Sequence, residues 1–337
     1  MITMLDVANK AGVSKATVSR VLAGNSYVSK TTRDRVFKAI EETGYRPNLL
    51  ARNLATSKSQ SIGLMVSNTL YNGPYFTELL FQTATLTESY GRQLVLVDGK
   101  HSAEEERQAI EFLLDLRCDG IIVYPRFLNA DELTAIIESS PKPIIAVNRQ
   151  LENSPQHCVY ADHQQYSFNA VSHLINSGHR DIAFIRGLAG SPSADSRFRG
   201  YKIALEKYGI DYREQYIAEG GWTPRSGIDA AKTLLDRGIT FSALVASNDD
   251  MALGAANHLH AMGKRIPQDV SLIGFDDISM ASYFIPSLST VRVPVAEMIE
   301  TTLKQLVDMM DGKPIDALQP FPGELIIRDS LGPGPYA

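Results

Sequence analysis

Little in the sequence would support a membrane, secreted or disulfide-bonded protein. Its 337 residues include two cysteines, which cannot form a disulfide framework, and one tryptophan. The longest apolar runs, such as residues 120–125 and 143–148, are strand-sized, whereas a membrane-spanning helix needs about 20 apolar residues. No apolar stretch follows a basic start, so a secretory signal is not expected. We therefore expect a cytoplasmic protein with buried, reduced thiols and no membrane partner.

Motifs of catalysis and metal binding are also missing. The seven histidines show no metal-ligand spacing, and the sequence has no GxSxG, no P-loop and no GxGxxG. The segment RGLAGSPSAD (186–195) resembles a phosphate-binding turn but lacks the P-loop and GxGxxG motifs. We expect it to shape a cleft. Adjacent acids at 249–250 and 276–277 could suggest a metal or general-acid site, but neighbouring side chains point in different directions. We expect no enzyme, no metal and no cofactor.

Charge is distributed unevenly along the chain. The whole sequence has a formal net charge of −5. Residues 1–60 contain ten lysines and arginines against four aspartates and glutamates, a net charge of +6, so residues 61–337 carry −11. A basic head joined to an acidic body favours binding of a polyanion by the head. A merely solvated basic surface is the alternative that charge alone leaves open.

Three short amphipathic helices are predicted in the basic head. In the first, apolar residues recur at helical spacing over 5–11, and Gly12 breaks the run. Ser14 can cap a second helix, and a third begins near 29–31 and ends at Gly44. The predicted apolar positions are Leu5, Val7, Ala8 and Ala11, then Val18, Val21 and Leu22, then Val36, Phe37 and Ile40. Two helices crossing at Gly12 predict a helix-turn-helix.

The run from 4 to 54, MLDVANKAGVSKATVSRVL through GYRPNLLARNL, resembles the LacI/GalR family of bacterial transcription repressors. The resemblance implies that Lys15, Ala16 and Arg20 enter the major groove, where Arg20 can bind guanine and Ala16 can contact a thymine methyl. It implies that backbone phosphates are held by Ser14, Thr17 and Ser19. Read without the family, Thr17 and Ser19 are ordinary surface hydroxyls.

Residues 48–60 are rich in helix formers but form only about two turns, which is marginal in isolation. The family resemblance implies a hinge helix that is stable when two copies pack on DNA, with Leu54 wedged into the minor groove. The alternative is a plain linker helix whose Leu54 docks on the body.

Beyond residue 60, apolar strand-like runs alternate with amphipathic helices, and the pattern restarts after Asp162. We predict an α/β protein: an all-α helix-turn-helix head and a two-lobed body like that of periplasmic binding proteins, each lobe a doubly wound, mostly parallel sheet. The predicted divisions are 1–47 for the head, 48–60 for the hinge, 61–161 with 292–322 for the N-terminal lobe, and 162–291 with 323–337 for the C-terminal lobe. The crossings between lobes are implied by the resemblance.

Polar residues at strand ends are candidates for a ligand crevice, because doubly wound sheets bind ligands there. Carboxylates, an arginine and the flat face of a tryptophan together suit a carbohydrate. The resemblance assigns an effector pocket to Tyr75, Phe76, Asn148, Arg197, Trp222, Asn248 and Asp276. Asn148 departs from the aspartate of some members.

Structural alternatives stay open for several of these residues. Asp249 could be the N-cap of the next helix, and Asp277 a cap or turn residue. Arg197 could pair with an interface carboxylate, and Trp222 could fill a core. Tyr75 and Phe76 could equally pack within the lobe.

The resemblance implies a repressor of a sugar-utilisation operon, which binds a pseudopalindromic operator as a homodimer and is controlled by a small sugar or glycoside between the lobes. Residues 49–81 and 100–128 most resemble family members that control β-glucoside operons, which suggests a β-glucoside effector. No leucine heptads follow the last strand, so a dimer rather than a tetramer is predicted. A secreted sugar receptor is opposed by the head, and a sugar-processing enzyme should turn over glycosides.

Overall fold

The computed structural model describes residues 2–22, 27–45, 59–67 and 73–337. The chain forms two compact units, residues 1–59 and residues 60–337. Most of the predicted hinge, including Leu54, lies outside the described residues.

The described part of the head contains three helices, α1 (Met4–Ala11), α2 (Lys15–Leu22) and α3 (Lys30–Thr43). Thr3 caps α1 in a capping box with Asp6, and Gly12 ends the helix with a φ of 64°, a conformation that glycine adopts without strain. Ser29 caps α3. The guanidinium of Arg35 donates to the Ala11 carbonyl at 2.6 Å, which ties the turn to α3.

The head has its own small core, formed by Val7, Ala8, Ala11, Val18, Val21, Val36 and Ala39. Leu22 and Ile40 pack against it while partly exposed. Two predicted members are wrong: Leu5 and Phe37 are 55% and 50% exposed. Neighbouring residues of a helix point about 100° apart, so an apolar residue next to the buried face can still point to solvent. Ala39 supplies the inward contact that was expected of Phe37.

The first lobe of the body is built on a five-stranded sheet. Its strands are β1 (Ser61–Val66), β2 (Gln93–Asp98), β3 (Gly120–Tyr124), β4 (Ile144–Val147) and β5 (Cys158–Val159), and its helices are α4 (Pro74–Ser89), α5 (Ala103–Asp115) and α6 (Ala130–Ser139). The strand order is β2-β1-β3-β4-β5, and every pair is parallel. Four of these strands are apolar and buried along their length, as expected when helices cover both faces of a sheet.

The second lobe is built on a six-stranded sheet. Its strands are β6 (Ile182–Ile185), β7 (Ile217–Ala218), β8 (Ala243–Ala246), β9 (Ser271–Phe275), β10 (Ser289–Arg292) and β11 (Glu324–Ile326), and the helices of this part are α7 (His163–Asn176), α8 (Pro192–Lys207), α9 (Pro224–Asp236), α10 (Asp249–Ala261) and α11 (Val295–Met310). The order is β11-β10-β9-β8-β6-β7, antiparallel only between β10 and β11. The predicted fold class is confirmed.

The chain crosses between the lobes near its end. Helix α11 follows β10 but packs against α4 and strands β3, β4 and β5 of the first sheet. Residue 321 then bridges to Ala161, and β11 returns to the second sheet. One buried apolar cluster includes residues of both lobes, such as Leu64 and Phe184. Within the described ranges, no helix is both long and apolar enough to cross a bilayer.

Candidate functional site

A cavity of about 280 Å³ lies between the two lobes, at the carboxyl ends of strands from both sheets. This volume lies just below the range for small-molecule pockets, which is roughly 300–1,000 Å³. Six of the seven predicted effector residues line it: Tyr75, Asn148, Arg197, Trp222, Asn248 and Asp276. Phe76 is not among the lining residues and packs against the apolar cluster shared by the lobes. Adjacent residues of α4 point about 100° apart, so Tyr75 and Phe76 do not face the same space.

The wall formed by the second lobe carries charge. The guanidinium of Arg197, on α8, is buried and donates to Asp276 Oδ1 at 3.1 Å and to the Ser247 carbonyl. Burial raises the pKa of Asp276, and Arg197 opposes that rise. The expected ion pair of Arg197 therefore exists, and both of its partners still line the cavity. A buried guanidinium and carboxylate with hydrogen-bonding capacity left over can hold hydroxyl groups.

Trp222 and Asn248 form the adjoining part of this wall. Trp222 has a φ of 66°, and its carbonyl accepts a hydrogen bond from Asn248 Nδ2 at 3.1 Å. Asn248 also caps α10 by accepting from the Met251 amide. A Cβ atom on Gly187 would come within 2.2 Å of the indole, so only glycine lets the ring lie against this backbone. The indole thus presents a flat apolar face to the cavity as well as packing on the lobe core.

Two adjacent acids at the start of α10 have different surroundings. Asp249 is fully buried away from the cavity, where it accepts from Thr290 Oγ1 at 2.6 Å and from the Ile278 amide at 2.9 Å. The suggestion that Asp249 is the N-cap is wrong, because Asn248 caps the helix. Asp250 lines the cavity, and burial followed by the charge of Asp276 raises its pKa to about 6. The second acid is therefore the one that can meet a ligand.

Asp277 is a turn residue with two ion pairs. Its φ is 52°, and its carboxylate accepts from Arg292 Nε at 2.8 Å and from a terminal nitrogen of Arg328 at 2.6 Å. It does not line the cavity. The expectation of a turn residue agrees with this backbone conformation.

The wall formed by the first lobe is uncharged. Asn148 follows β4 with a φ of 59°, and its Nδ2 donates to the Tyr124 hydroxyl at 2.6 Å. Tyr124 ends β3, and its ring meets that of Tyr75 edge-on, with centroids 6.0 Å apart. Burial raises the pKa of both phenols, so both keep their protons. This wall offers hydroxyls and an amide rather than ions.

His163, the first residue of α7, lies behind both walls and is 5% exposed. Its Nε2 is 2.7 Å from Asn148 Oδ1, and its Nδ1 is 3.3 Å from a terminal nitrogen of Arg197. Burial and then Arg197 hold the pKa of His163 well below its usual value, so the ring is neutral. It connects a residue of the charged wall to one of the uncharged wall.

In the head, the outward face of α2 is open. Lys15, Ala16, Ser19 and Arg20 are exposed, and Thr17 is half-buried. Ser14 Oγ caps the helix by accepting from the Thr17 amide at 3.1 Å, and it lies 2.9 Å from the Thr17 hydroxyl. In the part of the head that the structure describes, the ion pairs involve Lys10 and Lys38 with Glu42, not Lys15 or Arg20.

Potential metal ligands and the two cysteines complete the description of reactive side chains. No group of three or more His, Cys, Asp or Glu residues in the described part of the chain could hold a metal ion. Cys118 and Cys158 are buried and free, as predicted, and burial raises the pKa of both thiols.

The comparisons with known proteins agree with this arrangement. Residues 3–48 match the family described as bacterial regulatory proteins, lacI family, and residues 171–331 match the periplasmic binding protein-like domain. The chain is 57% identical to the HTH-type transcriptional regulator AscG of Escherichia coli K12, over 98% of both chains. The chain belongs to the LacI family.

Two solved structures extend this comparison. The lac repressor dimer bound to operator and the anti-inducer ONPF has a TM-score of 0.89 and 29% identity, covering 98% of this chain and 99% of that one. The complex of the transcriptional regulator CelR with cellobiose has a TM-score of 0.72 and 30% identity, covering 98% and 100%. This LacI-family protein is a DNA-binding transcriptional regulator and not an enzyme.

Sequence reasoning missed three side chains of this LacI-family site. Tyr124 looks like the apolar end of a buried strand, and its hydroxyl gives no separate signal. In the sequence, Asp250 stands out only as half of an acidic pair. His163 is separated from Arg197 by 34 residues, and only the contact between α7 and α8 brings them together. Leu188 and Ser193 also line the cavity, so the turn at 186–195 does shape it.

Proposed function

We propose that this protein represses a β-glucoside utilisation operon in the cytoplasm, as a homodimer on a pseudopalindromic operator, and that a small β-glucoside between the lobes controls it. The observation that carries the proposal is the interlobe cavity, in which six predicted effector residues meet. The proposal includes the DNA-contact and effector-contact residues predicted from the sequence. It also includes the predicted bounds of the head, the hinge and the two lobes.

The chemistry of the cavity supports a neutral sugar. One wall offers a guanidinium, two carboxylates and an indole face, and the other offers two phenols and an amide. Sugars present many hydroxyls, which both donate and accept, together with an apolar C–H face that packs on an aromatic ring. Arg197 is already paired with Asp276, and Asp250 adds another acid, so a strongly anionic ligand is not favoured.

The β-glucoside assignment comes from relatives. AscG is the 57% identical regulator, and CelR, of similar fold over 98% of this chain, binds cellobiose. Cellobiose and simple aryl β-glucosides are therefore the ligands to test first.

DNA contact is proposed for the open face of α2. Arg20 and Lys15 are long, exposed cations on one helical face with the small Ala16, a combination that can enter a major groove. Ser14, Thr17 and Ser19 surround the amino end of the same helix, where hydroxyls and backbone amides can hold phosphates. Leu54 is proposed for the minor groove and lies outside the described residues.

A thermal-shift screen of the full chain tests the effector. Cellobiose and phenyl β-glucoside should raise Tm by several degrees, since a ligand at 100 times its Kd stabilises by about 2.7 kcal/mol. The α-linked isomer maltose is the matched control. If neither β-glucoside shifts Tm more than maltose does, the effector assignment is wrong.

A gel shift with operator fragments, with and without each hit, tests the DNA side. Arg20→Ala should weaken operator binding and relax sequence preference by roughly 1–3 kcal/mol at one base pair. Lys38→Ala is the control. It removes the same positive charge from α3, so any change in affinity should be the same for all DNA sequences. Affinity should fall steeply, by at least about tenfold, between 50 and 200 mM salt. A salt-independent affinity would contradict binding through the basic head.

A further inference from the structure

Five side chains form a continuous polar chain from the charged wall to the uncharged wall. It runs from Arg197 to His163 Nδ1 (3.3 Å), from His163 Nε2 to Asn148 Oδ1 (2.7 Å), from Asn148 Nδ2 to Tyr124 (2.6 Å), and from the Tyr124 hydroxyl to that of Tyr75 (3.4 Å). Arg197 belongs to the second lobe and Tyr75 to the first. The chain therefore joins the two lobes through side chains, beside the cavity.

The direction of this chain follows from its first member. A guanidinium has only donors, so the His163 nitrogen that faces Arg197 must accept. A neutral imidazole has one protonated nitrogen, which is then Nε2, and it donates to Asn148 Oδ1. The amide nitrogen of Asn148 is thereby turned towards Tyr124, whose oxygen accepts from it.

The last step concerns the phenols. The Tyr124 hydroxyl, whose oxygen accepts from Asn148, donates its own proton to the Tyr75 oxygen 3.4 Å away. The Tyr75 proton is then not needed within the chain, and Tyr75 lines the cavity. The free donor of Tyr75 thus stands at the end of a series of hydrogen bonds that begins at the arginine.

The surroundings of His163 disfavour both other protonation states of its ring, the charged imidazolium and the tautomer with a proton on Nδ1. A charged imidazolium would place two cations 3.3 Å apart in a site that is 5% exposed. The other neutral tautomer would point Nδ1–H at a guanidinium and leave two donors facing each other. The ring of Tyr166, 5.8 Å away and edge-on, restricts rotation of the imidazole.

We propose that His163 is a positioning residue that fixes the hydrogen-bond polarity of the uncharged wall, so that Tyr75 presents a donor to the effector. The proposal rests on the proposed effector site and adds a specificity to it. The oxygen of the glycoside that faces Tyr75 accepts a hydrogen bond, whether it is a ring oxygen, a glycosidic oxygen or a hydroxyl. An aspartate at position 148 would reverse the direction of the hydrogen bonds along this wall. Its carboxylate would accept from the Tyr124 hydroxyl, and the Tyr124 oxygen would then accept from Tyr75.

The tautomer can be measured without any effector. In full-length protein labelled with ¹⁵N-histidine, the resonances of His163 are identified as those lost in His163→Gln. Their nitrogen shifts and proton couplings should show a protonated Nε2 and a bare Nδ1 from pH 6 to 8. A protonated Nδ1, or an imidazolium in this range, overturns the proposal.

The effect on recognition is measured as the Kd of a β-glucoside that binds the wild-type chain. His163→Leu removes both contacts, frees the Asn148 amide to turn, and should raise Kd by about tenfold, a typical cost of unpairing a buried polar group. His163→Gln can still accept from Arg197 and donate to Asn148, and should restore most of the affinity. Equal losses in both variants, or no loss in either, overturn the positioning role.

Analogues of the glucoside test the polarity itself. At the hydroxyl that faces Tyr75, replacement by fluorine, which can only accept, should be tolerated better by the wild-type chain than replacement by hydrogen. In Asn148→Asp this preference should vanish. If it persists unchanged, His163 and Asn148 do not set the polarity. If no glycoside binds the wild-type chain, the proposed function fails, whereas the tautomer measurement still decides the direction of the chain.

Discussion

The two walls of the interlobe cavity use different chemistry for what is one binding space. The second lobe contributes Arg197, Asp276 and Asp250, which are ionic, and the first contributes Tyr75 and Tyr124, which are neutral. Arg197 and Asp276 are paired within their own lobe. A neutral ligand can therefore bridge the walls without separating this buried pair.

This difference separates two roles: the buried ion pair of the charged wall contributes to the stability of the fold, and the uncharged wall contributes to ligand specificity. Removing Arg197 from the charged wall should harm folding as well as binding, because the buried Asp276 carboxylate loses its partner. Removing a member of the uncharged wall should change binding with little effect on folding. The following experiments test that contrast in order of expected effect.

The largest effect is expected for Arg197→Leu. It leaves the buried Asp276 carboxylate without a cation, and breaking a buried pair costs about 3–5 kcal/mol. Urea unfolding of the full chain should show this loss in the free energy of unfolding. Arg225→Leu is the matched control, because its ion pair with Asp229 is exposed and is worth at most about 1 kcal/mol. Equal losses would erase the contrast between buried and exposed pairs.

Trp222→Ala should have the next largest effect, on binding. Losing the apolar face of the indole removes about 1.5–3 kcal/mol of burial, or roughly ten- to hundredfold in Kd. Trp222→Phe keeps a flat ring and should lose much less. Because Trp222 is the only tryptophan of the sequence, its fluorescence in the wild-type chain should change when the effector binds. An unchanged spectrum at saturation would place the ligand elsewhere.

Asp250→Asn should change the pH dependence of stability. The pKa of Asp250 is raised to about 6 from an ordinary value of 3.8, so the folded state holds this proton more tightly than the unfolded state does. Its contribution therefore falls as pH rises from about 4 to about 6, and the variant should gain stability relative to wild type over that window. Thermal unfolding at pH 4.5, 5.5 and 6.5 measures the trend.

Asp269→Asn is the control for that experiment. Arg265 lowers the pKa of Asp269 to about 2, so its contribution is lost only as pH falls below 3.8 towards 2. The difference between this variant and wild type should be flat from pH 4.5 to 6.5. A flat difference for Asp250→Asn as well would show that Asp250 is not buried against Asp276.

The smallest effect is expected for Tyr75→Phe. The hydroxyl contributes one neutral hydrogen bond to the effector, worth about 0.5–1.5 kcal/mol or roughly two- to tenfold in Kd. Tyr283→Phe, at a 79% exposed tyrosine, should change nothing. Tyr75→Phe also removes the acceptor of the Tyr124 hydroxyl, a long contact of 3.4 Å, so both variants should still unfold close to the wild-type midpoint. A clear loss of stability in Tyr75→Phe would mean that the uncharged wall is structural too.

The sequence carries much of the fold and of the charged wall. Asn248 and Asp276 follow buried apolar strands, and in a parallel sheet such ends meet at one edge. Gly12 and Ser29 mark helix ends through conformations and hydrogen bonds that are local. Prediction works where the physical cause lies within a few residues.

The uncharged wall could not be derived in the same way. Whether Tyr75 or Phe76 faces the cavity depends on the rotation of α4, which the crossing helix α11 fixes from more than 200 residues away. His163 acquires its role only because Arg197 and Asn148, on different lobes, meet at its two nitrogens. Long-range packing decides these contacts, and no local pattern records it.

Three cavity residues have positive φ: Asn148 at 59°, Trp222 at 66° and Asp276 at 100°. Side chains other than glycine, asparagine and aspartate fit such backbones poorly, at a cost of about 1–3 kcal/mol each. Anyone who retunes this sensor for a new inducer thus has little freedom at those three places. Randomised libraries would do better to vary Tyr75, Leu188 and Ser193, none of which has a positive φ.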